Sequence, residues 1–388
     1  MLKTSRLGGG PLLLALVVTA AYATYVVWRL SLAGWDPSTF IIAGSPAADP
    51  NRTYPNLHVF PPGTSYDGQF YYRLALNPWT HQQTAFGITL DEGAYRQQRI
   101  VYPLVAWLIS AGQWQLTPTA LIVTNLLAVA TLTYTLGAFA QGLGRGVLAA
   151  VAAPLYPGYL VTMSRDLVEL TEAALLGATL VLLQRHRYRA ATAALVAGVL
   201  ARETALVLPL AGLILWGYRR VRHQSECGPP VYVWLAPLMA YAAWFALLVG
   251  VWGANGLDHG GYINLGPPFE GLVQHIQSLN PATTPVWDSD LVDLALVVAA
   301  FLALVAVYRW QVLTASALSL ACVLCALAAP LYSIYVWRDE WAFLRALNEL
   351  FLTAAVALLA RGVWSTRMLG TATLAAWIWF IVRNAATP

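Results

Sequence analysis

Five polar clusters in an otherwise apolar chain hold the side chains able to do chemistry. The first is Tyr66-Asp67-Gly68-Gln69-Phe70-Tyr71-Tyr72-Arg73. An Asp-Gly pair makes a turn. Here it also opens an aromatic, helix-capable segment, so an N-cap role is equally available. Read chemically, Asp67 is a carboxylate walled by aromatics such as Tyr66 and Tyr71, able to take a proton from an incoming hydroxyl. Partial desolvation is expected to raise its pKa and strengthen it as a base. The second cluster, Tyr95-Arg96-Gln97-Gln98-Arg99, puts two arginines three residues apart, on one face of a helical segment. They either grip a lipid phosphate or snorkel toward ordinary headgroups.

The third cluster, Ser164-Arg165-Asp166 followed by Glu169 and Glu172, has its acids on one helix face. Acids in a first turn favour a helix N-terminus. Carboxylates one or two turns into a membrane instead face a cavity or a partner. The fourth, Arg202-Glu203, interrupts an apolar run, where unpaired charges cost several kcal/mol. The two pair with each other or with a neighbouring helix, or Arg202 faces a cavity and binds an anion. The fifth is Trp337-Arg338-Asp339-Glu340-Trp341 with Arg345. Arginine suits bidentate phosphate binding, which makes Arg99, Arg202 and Arg345, with Arg338 beside them, an expected phosphate-binding set.

Motifs of soluble enzymes are absent: the sequence has no Walker A, HExxH or GxSxG element. Its six histidines have no metal-ligand spacing, and Cys322 and Cys325 read as small core residues of one helix face. No cofactor is expected.

The elements that must position these residues follow from composition. The chain has 388 residues, 59% hydrophobic and 10% charged, with a net charge of +4. Soluble domains carry about 25% charged residues, so a water-soluble globule is excluded, and the small, scattered positive charge excludes a nucleic-acid binder. Residues 11–28, 100–144, 231–257 and 310–337 contain no charge. A spanning helix needs roughly 20 apolar residues, so the chain supplies about ten or eleven. The expected fold is an all-α polytopic membrane protein. Spans fall near 11–32, 117–140, 147–163, 167–184, 231–252, 291–308, 311–330, 342–360 and 367–383, with a hairpin of two short helices over 190–218 whose apex is Ala201–Thr204. Residues 99–114 suit an interfacial half-helix anchored by Tyr102, Trp107 and Trp114. Lys3, Arg6, Arg145, Arg185, Arg187, Arg189, Arg219, Arg220, Arg222, Arg309, Arg361 and Arg367 fall on one side with a single acid, Glu226. That side is cytoplasmic by the positive-inside rule, which puts the N-terminus inside and a large first loop, 33–116, outside. The expectation is a multi-pass protein of a bacterial inner membrane.

The order of these motifs resembles the GT-C superfamily of integral-membrane glycosyltransferases, in particular bacterial relatives of the GPI-anchor mannosyltransferases. The likeness rests on a first span, then a large outer loop bearing Tyr-Asp-Gly-x-Phe-Tyr, then Arg99-Ile-Val-Tyr-Pro-Leu104, then Leu200-Ala-Arg-Glu-Thr204. It covers most of residues 1–220, a catalytic membrane module, and more loosely the turn from Trp337 to Arg345; residues 221–388 would complete the lipid-donor cavity. By that resemblance the protein moves a sugar from a polyprenyl-phosphate donor to a lipid, glycan or protein acceptor outside the membrane, with inversion. Asp67 would be the general base, with Asp36 the runner-up. Arg96, Arg99, Arg202, Glu203, Arg345, Tyr66, Tyr71 and Glu169 would bind substrate or lipid phosphate. The loop has no clear Asp-x-Asp pair, so no metal is expected. Broken helices and intramembrane charges also mark secondary transporters, which is the competing class. An envelope-assembly scaffold, in which Asp67 and the arginines tolerate alanine, is the third.

Overall fold

The computed structural model describes residues 9–223, 228–253, 264–278, 316–338, 340–361 and 363–386. The expected span at 291–308, most of 253–290, Asp339 and the basic markers Lys3, Arg6 and Arg309 lie outside the described residues. In chain order the helices are α1 (Gly10–Leu32), α2 (Gly68–Leu76), α3 (Gly93–Gln97), α4 (Val101–Ser110), α5 (Thr117–Gly142), α6 (Pro157–Ser164), α7 (Glu169–Gln184), α8 (Tyr188–Ala201), α9 (Val207–Val221) and α10 (Tyr232–Trp252). They continue with α11 (Glu270–Ser278), α12 (Ala317–Ala328), α13 (Ile334–Trp337), α14 (Glu340–Ala346), α15 (Asn348–Arg361) and α16 (Val363–Ala386). The protein is mostly helical. Helices α1, α5 and α10 are each long and apolar enough to cross a membrane.

Helix α5 packs between α1 and α7, α7 packs on α8, and α8 on α10; α12 joins α9 to α15. Close approach of α7 and α5 depends on Gly177, where a Cβ would come within 2.6 Å of Thr135 Oγ1, the small-residue contact that brings apolar helices together.

Three elements depart from an uninterrupted bundle. The expected span 147–163 is corrected: a 3-10 turn at Val147–Ala150 precedes the short α6. Pro154 and Pro157 account for it, since proline lacks the N–H and disfavours helix in the residue before it; Tyr156 is accordingly extended, with ψ 129°. The 190–218 hairpin forms as α8 and α9. Arg202 is extended there (φ −159°, ψ 136°), and a 3-10 turn at Glu203–Leu206 restarts the chain. The 311–330 run gives the twelve-residue α12, closed by a turn holding Pro330.

Residues 33–116 fold on one end of the bundle around α2, α3 and α4. Two small sheets stitch this segment: β1 (Ala43–Gly44) runs parallel to β2 (Val59–Phe60), and β3 (Thr84–Ala85) is antiparallel to β4 (Ile88–Thr89). The β3–β4 turn has φ +53° at Phe86 and +73° at Gly87, the positive pair that a tight two-residue hairpin needs. Helix α2 begins at Gly68, where nothing larger than glycine fits. A Cβ there would lie 2.2 Å from Arg165 O and 2.6 Å from Ile41 O.

Both obstacles at Gly68 are backbone, so neither can rotate away. Gly68→Ala should therefore cost roughly 1–3 kcal/mol of stability, as overpacking does, and displace the start of α2. A denaturation midpoint equal to wild type would show that the contact is not tight.

Candidate functional site

Five stretches of chain, Asn264 and Leu265 among them, converge at this end of the bundle on one cavity of about 640 Å³. Tyr66 and Asp67 come from the start of α2, and Tyr95, Arg96 and Arg99 from α3 and the turn after it. Arg202, Glu203 and Thr204 come from the break between α8 and α9, and Arg345 from the last turn of α14. Helix α14 is held near α6 by Tyr156, whose hydroxyl donates to Leu344 O at 2.7 Å. The α3 turn is tied to α10 twice. Trp252 Nε1 donates to Gln97 Oε1, and Tyr241 donates to Gln98 Oε1, both at 2.7 Å.

Charges alternate through the cluster. Asp67 is clamped from two sides, with Oδ1 3.0 Å from Arg96 Nη1 and Oδ2 3.1 Å from Arg345 Nη1. Arg96 also donates from Nε and Nη2 to Asp91, at 2.8 and 2.6 Å, and lies 4.3 Å over the Phe70 ring. Arg345 donates from Nε to Glu169 Oε1 at 2.7 Å. Arg202 donates from Nη1 to Glu349 at 2.7 Å and to the Arg345 carbonyl at 3.1 Å, with Glu172 3.6 Å and Glu169 3.9 Å away. Arg99 makes a two-pronged pair with Glu203 through Nε and Nη2; Nη2 also donates to Tyr95 Oη at 2.8 Å, and Nη1 donates to Tyr71 Oη at 3.0 Å. Thr204 donates to Glu349 Oε1 at 2.5 Å, and its Oγ1 lies 3.3 Å from Glu172 Oε1.

The expected site residues Asp67, Arg96, Arg99, Arg202, Glu203, Arg345, Tyr66, Tyr71 and Glu169 are thus brought together. Three expectations are corrected. Asp36 stands apart: it caps the 3-10 turn Pro37–Phe40 by accepting from Ser38 N at 2.9 Å, and it lines another pocket with Trp35, Asn56 and His58. Arg338 is exposed and does not line the cavity. The third correction concerns Asp67 itself. Burial alone would push its carboxyl up, but the guanidiniums of Arg96, Arg345 and Arg99 outweigh that and hold it below the usual carboxylate range. Nor does its side chain cap α2. As it stands, Asp67 is a weak base with both oxygens engaged.

Sequence reasoning missed Glu349 and left Asp91 unpaired. Glu349 had a signal, since it lies four residues after Arg345 at the start of a helix. Among the described residues, no three His, Cys, Asp or Glu side chains form a group that could hold a metal ion. The cluster is instead a set of guanidiniums whose positions are fixed before any ligand arrives, the arrangement that stabilises developing negative charge. No protein-family model matches the chain, and no curated protein matches it.

Two outcomes test this electrostatic reading. Arg202→Met leaves Glu349 and Glu172 buried without their cation and should cost about 3–5 kcal/mol. Adding Glu349→Leu should recover much of that loss in a double-mutant cycle, and additive losses would show that the pair does not interact. Asp67 titrates lower folded than unfolded, so its pairing stabilises the fold above the unfolded pKa of about 3.9 and fades as pH falls below it. The unfolding difference between wild type and Asp67→Asn should therefore shrink between pH 5 and 3; a constant difference contradicts the pairing.

Proposed function

We propose that the protein is a glycosyltransferase of the GT-C type, taking a sugar from a polyprenyl-phosphate donor at the extracytoplasmic membrane surface. The observation that carries this reading is the meeting of Asp67 with four arginines in one cavity. Single-displacement transfer with inversion needs one base and no covalent nucleophile. It also needs cations waiting where the phosphate departs. In this reading Asp67 takes the acceptor hydroxyl's proton, the acceptor oxygen attacks the anomeric carbon, and the lipid phosphate leaves toward the arginines. A polytopic fold of about ten or eleven spans, with 33–116 as the outer loop, is part of the same proposal. So is the division of labour between residues 1–220 and 221–388, since Arg345 brings the second part to the Asp67 site. The substrates are the prenyl-phosphate sugar and a lipid, glycan or protein hydroxyl, and no metal takes part.

One observation favours transport instead. A second, apolar pocket of about 390 Å³ lies at the far end of α7, lined by Leu180, Leu183, Leu208, Leu215 and Trp234. Buried Glu172 and Glu349 extend the charged cluster beyond the cavity. A carrier would join the two ends. The apolar lining of the second pocket argues against a polar solute passing through it.

The deciding experiment offers the purified protein a panel of radiolabelled polyprenyl-phosphate sugars with membrane-extract acceptors. Wild type should transfer, and Asp67→Asn should lose about 10²–10⁴-fold, the usual contribution of a general base. Equal transfer by both assigns the base elsewhere. No transfer, with solute uptake into proteoliposomes, selects the carrier.

A further inference from the structure

The cavity's positive charge is already fully committed. Arg96, Arg99, Arg202 and Arg345 face six carboxyl groups: Asp67, Asp91, Glu169, Glu172, Glu203 and Glu349. A phosphodiester adds one negative charge to this enclosure, and the phosphate monoester it leaves behind adds up to two. In a partly buried site neither charge is free of cost. A carboxylate must therefore give way, and the geometry says which one. Glu169 and Glu172 are sealed in, with side chains 1% and 0% exposed, and Glu349 is 5% exposed. Asp91 and Glu203 are each held by two-pronged bonds to one arginine. Asp67 is open to the cavity to the same 25% as Glu203, but it is held by one contact per oxygen to two different guanidiniums, whereas Glu169, which also lies between two guanidiniums, is sealed in. A phosphate offers two guanidiniums the same pair of oxygens that a carboxylate does.

From this we infer that Asp67 is the exchangeable counter-ion of a phosphate seat formed by Arg96 and Arg345, so that phosphate occupancy and protonation of Asp67 are coupled. The inference rests on the glycosyl-transfer reading and gives it an order of events. The donor's phosphate takes the two guanidiniums and releases Asp67, which becomes a stronger base as its cations withdraw. The acceptor's O–H proton passes to Asp67, and the acceptor oxygen bonds to the anomeric carbon. The bond from that carbon to the phosphate oxygen breaks, with its electron pair going to the phosphate. The carboxylate loses one negative charge as the phosphate gains one, so the total facing Arg96 and Arg345 is unchanged. Arg99 and Tyr71, the other charged or titratable neighbours of Asp67, stay bonded to each other throughout.

Calorimetric titration with farnesyl monophosphate in detergent micelles tests this directly. At pH 8 the probe is mainly a dianion, with a second pKa of about 6. Binding is measured in two buffers of different ionisation enthalpy, which counts the protons taken up. Wild type should take up about one proton more than Asp67→Asn, and Asp67→Asn should bind at least tenfold tighter because the competing carboxylate is gone. Asp67→Ser, another neutral replacement, should match Asp67→Asn. Equal proton counts and equal affinities overturn the exchange while leaving glycosyl transfer standing if the transfer assay succeeds. Failure of wild type and both variants to bind the probe overturns the exchange and the lipid-phosphate reading together.

Discussion

Arg345 is the joint on which the charged cluster depends. Its Nη1 holds Asp67, its Nε holds Glu169, and its carbonyl accepts from Arg202. One residue in the last turn of α14 therefore fixes a carboxylate from α2, a second from α7 and the cation at the break between α8 and α9. Asp67 and Arg345 are 278 positions apart in sequence. The fold is a means of closing that distance, and Pro154, Pro157 and the α8–α9 break each interrupt helix where a straight segment would carry the chain past the site.

Stability alone does not explain the arrangement. Replacing a buried ion pair with apolar side chains of similar volume is often neutral or stabilising. Arg73 makes the contrast within this protein. It is fully buried, yet its nearest bonds go to neutral groups, Thr80 Oγ1 at 3.1 Å and Gln82 O at 2.5 Å, and its Nε and Nη1 have no hydrogen-bond partner among the described residues. Burial pushes its pKa down to about 10. Among the described residues the chain thus holds an enclosed guanidinium without a paired carboxylate. Six carboxyls gathered around four other arginines therefore exceed what holding an arginine requires.

Much of this was legible in the sequence, and the limits have physical causes. The runs that give α1, α5 and α10 announce themselves by length and lack of charge. The α8–α9 hairpin was legible because Arg202-Glu203 cannot sit inside an apolar helix pair without breaking it. The interruption of 147–163 was also written there, in Pro154 and Pro157, but mean apolarity masked it. Asp36 was misread for a similar reason. Asp-Pro-Ser is a local capping signal, and short-range chemistry claimed that carboxylate before any distant arginine did. What no local pattern contains is the pairing of Asp67 with Arg345 or of Arg202 with Glu349. The expected rise in the Asp67 pKa failed because burial was counted and the cations were not.

The cost of enclosing so many charges is offset in part by where they sit on their helices. Glu169 opens α7, Glu349 lies in the first turn of α15, and Asp67 occupies the N-cap position of α2. Arg96 lies in the last turn of α3 and Arg345 in the last turn of α14, while Arg202 terminates α8. Each acid is at a positive helix end and each of these arginines at a negative one. The dipole contribution is about 0.3–1 kcal/mol per charge and larger in partly buried geometry. Helix ends also leave backbone groups unpaired, so polar side chains, loose carbonyls and adjustable backbone concentrate in one place. A cluster built from helix ends can exchange one counter-ion for another without disturbing a helix interior. One built from mid-helix residues would have to unwind to do the same.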